Sequence, residues 1–363
     1  AGPAAAQAPP DTLDVFLIGG QFNATGAGGD PLTAWLPRVG EAYWAGVRQL
    51  SSGPTTRLFD IAEGHKYNRT AWPAFARRYT YQTGRRVLFL QTAFGGTTNV
   101  ADADAGRGHW SATTDGPGAS GGPNHLALAR AELASLFRSV PDGVVLRAVG
   151  VLWIQGESDA DQIDNGVTTQ DAYRTELEAT ARALRESLAP YRGWDDPLAP
   201  MFAAQIGYRL PEDTPGYQQV RAAQDQVAAT GALTLACKHG LGFGRIEGRM
   251  VDDVHWSQGA LNHVGHHMAE AAVRDVTPPS RVIGEGIGAV GGETGPTAAD
   301  DAAPRRPFPN PAVRGHTVRG LPPQADVFDA LGRRVAATTR DGALVVDLQP
   351  GVYLVGGSAL TVR

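Results

Sequence analysis

The chain has 363 residues, 42% of them hydrophobic, and a net charge of −5. That composition allows a sizeable core and offers nucleic acid no basic stripe. No run of 18 apolar residues occurs, so no transmembrane span is expected. The single cysteine, Cys237, excludes an internal disulfide framework, and its place at the end of the apolar run Leu233–Cys237 predicts a buried strand thiol.

In chain order, Ala1–Pro10 resembles the end of a processed export signal followed by a flexible leader, so residues 1–12 are expected to precede the fold and export is expected. Residues 13–18 form a short apolar run ending in Gly19-Gly20, the pattern of a buried strand leading into a tight turn. Residues 87–92 repeat it and lead into Ala93-Phe94-Gly95-Gly96-Thr97; residues 148–154 do so again and lead into Gln155-Gly156-Glu157. Residues 200–206 and 232–237 are two further strand candidates. Between them, 70–84, 125–139, 169–189, 216–229 and 257–274 carry apolar residues at spacings of three and four, which predicts helices. Strands alternating with helices predict a parallel sheet covered on both faces, with ligands at the carboxyl ends of the strands. Residues 277–306, rich in Pro, Gly, Ala and Asp, read as a linker. The last segment, 307–363, has short β-like runs at 325–329, 343–347 and 351–355, which predict a small all-β module.

Four blocks carry candidate chemistry. Asp252-x-x-His255 precedes a predicted helix, where one turn can place a carboxylate beside an imidazole. Taken alone it is a weak signal that reads more readily as a helix-capping Asp with a surface His. Gly95-Gly96 after a strand lets backbone N–H groups approach a ligand, although most glycine pairs are simply turns. Gln155 offers an amide donor after a third strand. Glu157 would brace such a site or stand as an ordinary loop acid.

In order, these blocks resemble the sialate O-acetylesterase-like, carbohydrate acetylesterase branch of the SGNH hydrolases over residues 13–274. Gly20-Gln21-Phe22-Asn23 matches that branch's Gly-Gln-Ser-Asn, Ala93–Thr97 its Gly-Gly-Thr block, and Trp153–Asp159 its Trp-x-Gln-Gly-Glu-Ser-Asp block in full. Asp252–His255 matches the Asp-x-x-His block. The resemblance implies a domain over 13–276 with a three-layer α/β/α, flavodoxin-like fold. It further implies removal of acetyl groups from a sugar or glycan, and no cofactor. It makes His255 the general base, Asp252 its partner, Gly96 and Gln155 oxyanion donors, and Gln21, Asn23, Gly95 and Glu157 supporting residues. The nucleophile's position is Phe22, which cannot attack a carbonyl. Three readings follow: an inactive glycan-binding protein, another hydroxyl such as Thr25 or Ser158 acting instead, or a single-base departure from serine. A lipase or thioesterase of the same superfamily is a further alternative, against which the complete third block argues.

The tail has its own resemblance. Pro309-Asn310-Pro311, Val327–Val335 and Leu348–Leu354 resemble the C-terminal sorting domain of the type IX secretion system over 307–363. This implies a Bacteroidetes-type bacterium, the secretion machinery as a partner, and release or cell-surface attachment. Elsewhere, His263 and His267 stand at i, i+4 with His266 between them, but no His-Glu-x-x-His motif is completed. A structural or exposed histidine cluster without metal is expected. Trp256, next to His255, is expected to line a pocket. Asp102 and Asp104 read as a solvated loop rather than a calcium site.

Overall fold

The computed structural model describes residues 11–50, 53–192 and 198–276, together with six strands between residues 317 and 362. Residues 1–10, the expected linker 277–306 and the tail blocks Pro309–Pro311 and Leu348–Pro350 lie outside the described residues. The chain divides into two compact units, Ala1–Ile283 and Gly284–Arg363.

The first unit is built on a seven-stranded sheet. Its strands are β1 (Asp11–Gly20), β2 (Ala42–Leu50), β3 (Gly53–Asp60), β4 (Arg86–Gln91), β5 (Val144–Ile154), β6 (Met201–Ala204) and β7 (Thr234–Cys237), in the order β3-β2-β4-β1-β5-β6-β7. All neighbours pair in parallel except β2 and β3, which form an antiparallel hairpin at the edge. The expected parallel sheet is present, with this one antiparallel pair added at its edge. Arg48, Arg57 and two glycines interrupt the apolar signal in these strands, as suits an edge rather than a sheet centre.

The helices are α1 (Phe22–Thr25), α2 (Trp72–Thr83), α3 (His125–Arg138), α4 (Glu157–Asp164), α5 (Gln170–Leu188), α6 (Pro215–Ala229), α7 (Gly240–Phe243) and α8 (Gln258–Val276). Successive side chains of a strand point to opposite faces. Phe16 and Ile18 accordingly join Phe89 beneath α2 (Trp72, Phe75, Tyr79) and α8 (Leu261, Val264, Met268). Val15 and Leu17 join Leu88 and Leu90 beneath α3 (Leu133), α5 (Leu177, Leu184) and α6 (Val220, Val227). The result is a three-layer α/β/α fold, as the alternation of strands and helices predicts. Each of these large buried side chains contributes about 1.5–3 kcal/mol relative to exposure. No helix among the described residues is long and apolar enough to cross a membrane.

The chain departs from β1 to one side of the sheet and returns through β5 on the other, so β4, β1 and β5 lie adjacent at the switch point. Ligands in open α/β sheets bind at that place, beyond the carboxyl ends of the strands. At the end of β1, Gly20 has φ +114°, and a Cβ there would lie 2.0 Å from the carbonyl oxygen of Ile154. Only glycine fits this tight exit toward α1.

The second unit contains β8 (Thr317–Arg319), β9 (Asp326–Asp329), β10 (Arg334–Thr338), β11 (Ala343–Val345), β12 (Gly351–Val355) and β13 (Ser358–Val362). They form an antiparallel sheet in the order β10-β9-β12-β13 and a β11-β8 pair. β9, β11 and β12 fall on the three predicted runs.

Candidate active site

The first three sequence blocks leave adjacent strands. Gln21–Asn23 follow β1, Phe94–Thr97 follow β4, and Gln155–Asp159 follow β5. The fourth block, Asp252–His255, lies in the loop before α8 and is brought over the first by hydrogen bonds from Asn23. That side chain is buried. Its Nδ2 donates to Glu157 Oε1 at 2.7 Å and to the Val254 carbonyl at 3.3 Å, and its Oδ1 accepts from Trp256 N–H at 2.9 Å. One amide therefore fastens the histidine loop to the loop after β5.

Asp252 shapes its own loop. Its Oδ1 accepts from the backbone N–H groups of Val254 (2.9 Å) and His255 (2.7 Å), and its Oδ2 faces His255 Nδ1 at 2.6 Å. Burial pushes this carboxyl up, but the hydrogen bonds from His255 and Val254 outweigh it and hold Asp252 below its ordinary value. His255 Nε2 is buried, and no described residue hydrogen-bonds it.

Phe22, half-buried at the start of α1, packs against the His255 ring. Its ring centroid is 4.9 Å from that of His255 at an interplanar angle of 83°. On its other side the ring lies on the backbone after β4. A Cβ on Gly95 would sit 2.7 Å from Phe22 Cδ1 and Cε1, and one on Gly96, where φ is +82°, would sit 3.4 Å from Cζ. The phenyl ring thus separates the imidazole from the glycine backbone. Thr25 Oγ1 donates back to the Phe22 carbonyl at 2.9 Å.

Gln155 is turned away from this space. It is fully buried, and its Nε2 donates to the Asp159 carboxylate and to the Thr97 carbonyl at 3.3 Å. In this arrangement the amide expected as an oxyanion donor joins the loops after β4 and β5. Asp159 accepts from Asn99 N–H at 2.9 Å and Val100 N–H at 3.2 Å, and burial nevertheless pushes its carboxyl up to about 7. Gln21 is buried beneath the site, with Oε1 3.5 Å from Ser158 N and from Gln155 Nε2. Glu157 is also buried; burial raises its pKa, against which Asn23 acts.

One aromatic expectation changes. Trp256 is buried and packs edge-on against Phe243 at 5.5 Å, so it supports the loop from beneath rather than lining a pocket. Phe94 is instead 46% exposed and stacks on His125 at 4.9 Å. It was not singled out in sequence; the available signal was an apolar residue directly before a glycine pair. Asp104 accepts from the N–H groups of Gly106, Gly108 and Gly122, so this acid organises its loop.

Among solved structures, a carbohydrate acetylesterase from Xanthomonas citri is 19% identical, with 95% of this chain and 75% of that one covered and a TM-score of 0.48. A protein from Arabidopsis thaliana is 17% identical over 74% of this chain and 100% of its own, with a TM-score of 0.45. A carbohydrate acetylesterase from Sinorhizobium meliloti is 14% identical over 72% and 99%, with a TM-score of 0.41. No curated protein matches the chain. The family model described as carbohydrate esterase, sialic acid-specific acetylesterase matches residues 12–274, and the chain belongs to that family.

Proposed function

We propose that the first unit is a carbohydrate O-acetylesterase site held silent by Phe22. One observation carries this reading. The Asp252–His255 pair is assembled with Nε2 unengaged by any described residue, and a phenyl ring fills the gap between it and Gly95-Gly96. That gap is where an attacking oxygen and an acyl carbonyl would meet. With a hydroxyl at position 22, the oxygen would attack the acetyl carbon and its proton would pass to His255 Nε2. Asp252 would stabilise the imidazolium through Nδ1. The Gly96 backbone N–H would face the developing oxyanion. Collapse would expel the sugar alkoxide, which takes the proton back, and water would then release acetate by the same route.

The test is hydrolysis of p-nitrophenyl acetate and acetylated xylan by the protein, by Phe22→Ser and by Phe22→Ser/His255→Ala. Removing the nucleophile of a serine hydrolase lowers turnover about 10⁶-fold. A gain of at least about 10³-fold in Phe22→Ser, abolished by His255→Ala, is expected. Activity in the protein itself that falls with His255→Ala alone would overturn the assignment of position 22.

A second reading rests on Phe94. An exposed ring beside a blocked site suits stacking of a sugar face, so the protein as it stands would bind acetylated saccharides without cleaving them. Saccharide binding that disappears in Phe94→Ala while the fold persists would favour it. For residues 307–363 we propose export through type IX secretion machinery and display or release outside the cell. The three ordered sequence blocks support this, and export lost on deletion of 307–363 would test it.

A further inference from the structure

We propose that His239, His263 and His267 form a zinc site that clamps the edge of the sheet to α8. His239 follows β7 and leads into α7, whereas His263 and His267 lie one turn apart on α8. One ligating atom from each falls within 4.8 Å of the other two, and His263 Nε2 stands 2.9 Å from His239 Nδ1. Ligands at about 2.0–2.1 Å from a tetrahedral zinc stand a little over 3 Å apart, so small side-chain rotations admit the ion. Three imidazoles from two elements suit a borderline-soft divalent cation, with water in the fourth position on the exposed His239 side.

The surroundings fit this use. His267 Nδ1 faces Glu270 Oε2 at 3.4 Å, which leaves Nε2 as its ligating nitrogen. A carboxylate behind a metal-bound histidine fixes the ring and raises its basicity. The other oxygen of Glu270 pairs with Arg78 at 2.9 Å and faces His266 Nε2 at 3.4 Å, and Arg249 donates to the Gly259 carbonyl at 2.6 Å. Phe243 links the cluster to the candidate active site, lying 6.1 Å from His263 and 5.5 Å from Trp256, the neighbour of His255. Bound zinc would brace the floor of the histidine loop.

The test uses the full chain, purified without a polyhistidine tag, stripped with chelator and titrated with zinc alone by calorimetry. One ion per chain and a zinc-dependent rise in melting temperature are expected. His239→Ala, a change at an exposed position, should weaken binding more than about 100-fold and remove the thermal shift. Glu270→Gln should weaken it about 10- to 100-fold. Absence of saturable binding to the folded chain, or binding that His239→Ala leaves unchanged, would overturn the site. Neither readout depends on esterase activity, so failure here is separable from failure of the silent-site reading.

Discussion

Asn23→Ala tests whether one buried amide holds the candidate active site together. The substitution leaves Trp256 N–H and Glu157 Oε1 without the partners they have at 2.9 and 2.7 Å, and removes a weaker contact to the Val254 carbonyl at 3.3 Å. A buried polar group left unpaired costs about 1–3 kcal/mol. Two strong contacts therefore predict a loss of roughly 3–4 kcal/mol. In a domain of this size, that lowers the melting temperature by roughly 6–16 °C. The assay is thermal and urea unfolding of the protein and the variant at neutral pH. In the Phe22→Ser background the same change should lower kcat more than it raises KM, because His255 loses its register with position 22. A stability change below about 1 kcal/mol would refute the reasoning, since the histidine loop would then hold its place without the amide. Asn23→Asp sharpens the test by placing a carboxylate against Glu157. One of the two must keep a proton, so the variant's stability should fall as pH rises.

Three further outcomes follow from the same geometry. Gly95→Ala should destabilise the protein by roughly 1–3 kcal/mol, because the new methyl meets the Phe22 ring at 2.7 Å. It should be almost neutral in Phe22→Ser, and a double-mutant cycle without coupling would show that the ring does not lie on the glycines. Asp159 titrates at about 7 in the folded chain, above its unfolded value near 4, so the folded state keeps a proton that the unfolded state releases. Stability from this group is complete below about pH 4 and is lost as pH rises toward 7, by a few kcal/mol. Asp159→Asn should flatten the urea midpoint across that window, and an unchanged slope would mean that the carboxylate is ionised in the fold. His255→Phe keeps a ring against Phe22 and loses only the bond to the half-exposed Asp252 carboxylate, so its stability should change by less than about 1 kcal/mol. A larger loss in unfolding experiments would give the Asp252–His255 bond a structural share.

Much of the fold is legible in sequence because the central strands are buried on both faces. The runs at 13–18 and 148–154 fall within β1 and β5, that at 87–92 overruns β4 by one residue, and all five predicted helices are present within a few residues of their expected ends. The β2–β3 hairpin escaped because edge strands need no continuous apolar run, and the pattern there is broken by arginine and glycine. The gathering of the four blocks was legible from their places after strands. The direction of each side chain was not. Gln155 stands where a donor would be expected, yet its amide turns to Asp159 because a carboxylate buried at that depth requires partners. His239 could not be joined to His263 and His267 by spacing, since they meet only when β7 packs beside α8.

The residues that persist around Phe22 do not all speak for catalysis. Asn23, Gln21, Gln155, Glu157 and Asp159 are buried, and each has hydrogen-bond partners that the fold places there. Such residues would be kept by stability alone, whether or not an ester was ever cleaved. Asp252 likewise orders its own loop through two backbone N–H groups. His255 is different. Its Nδ1 is held by a half-exposed carboxylate, its Nε2 has no partner among the described residues, and its ring meets the residue that blocks it. A packing role at that position would be served as well by an apolar ring, without burying an unpaired nitrogen. The proposed role of His255 as a base needs a proton donor at that nitrogen, and a hydroxyl at position 22 is the smallest change that would supply one.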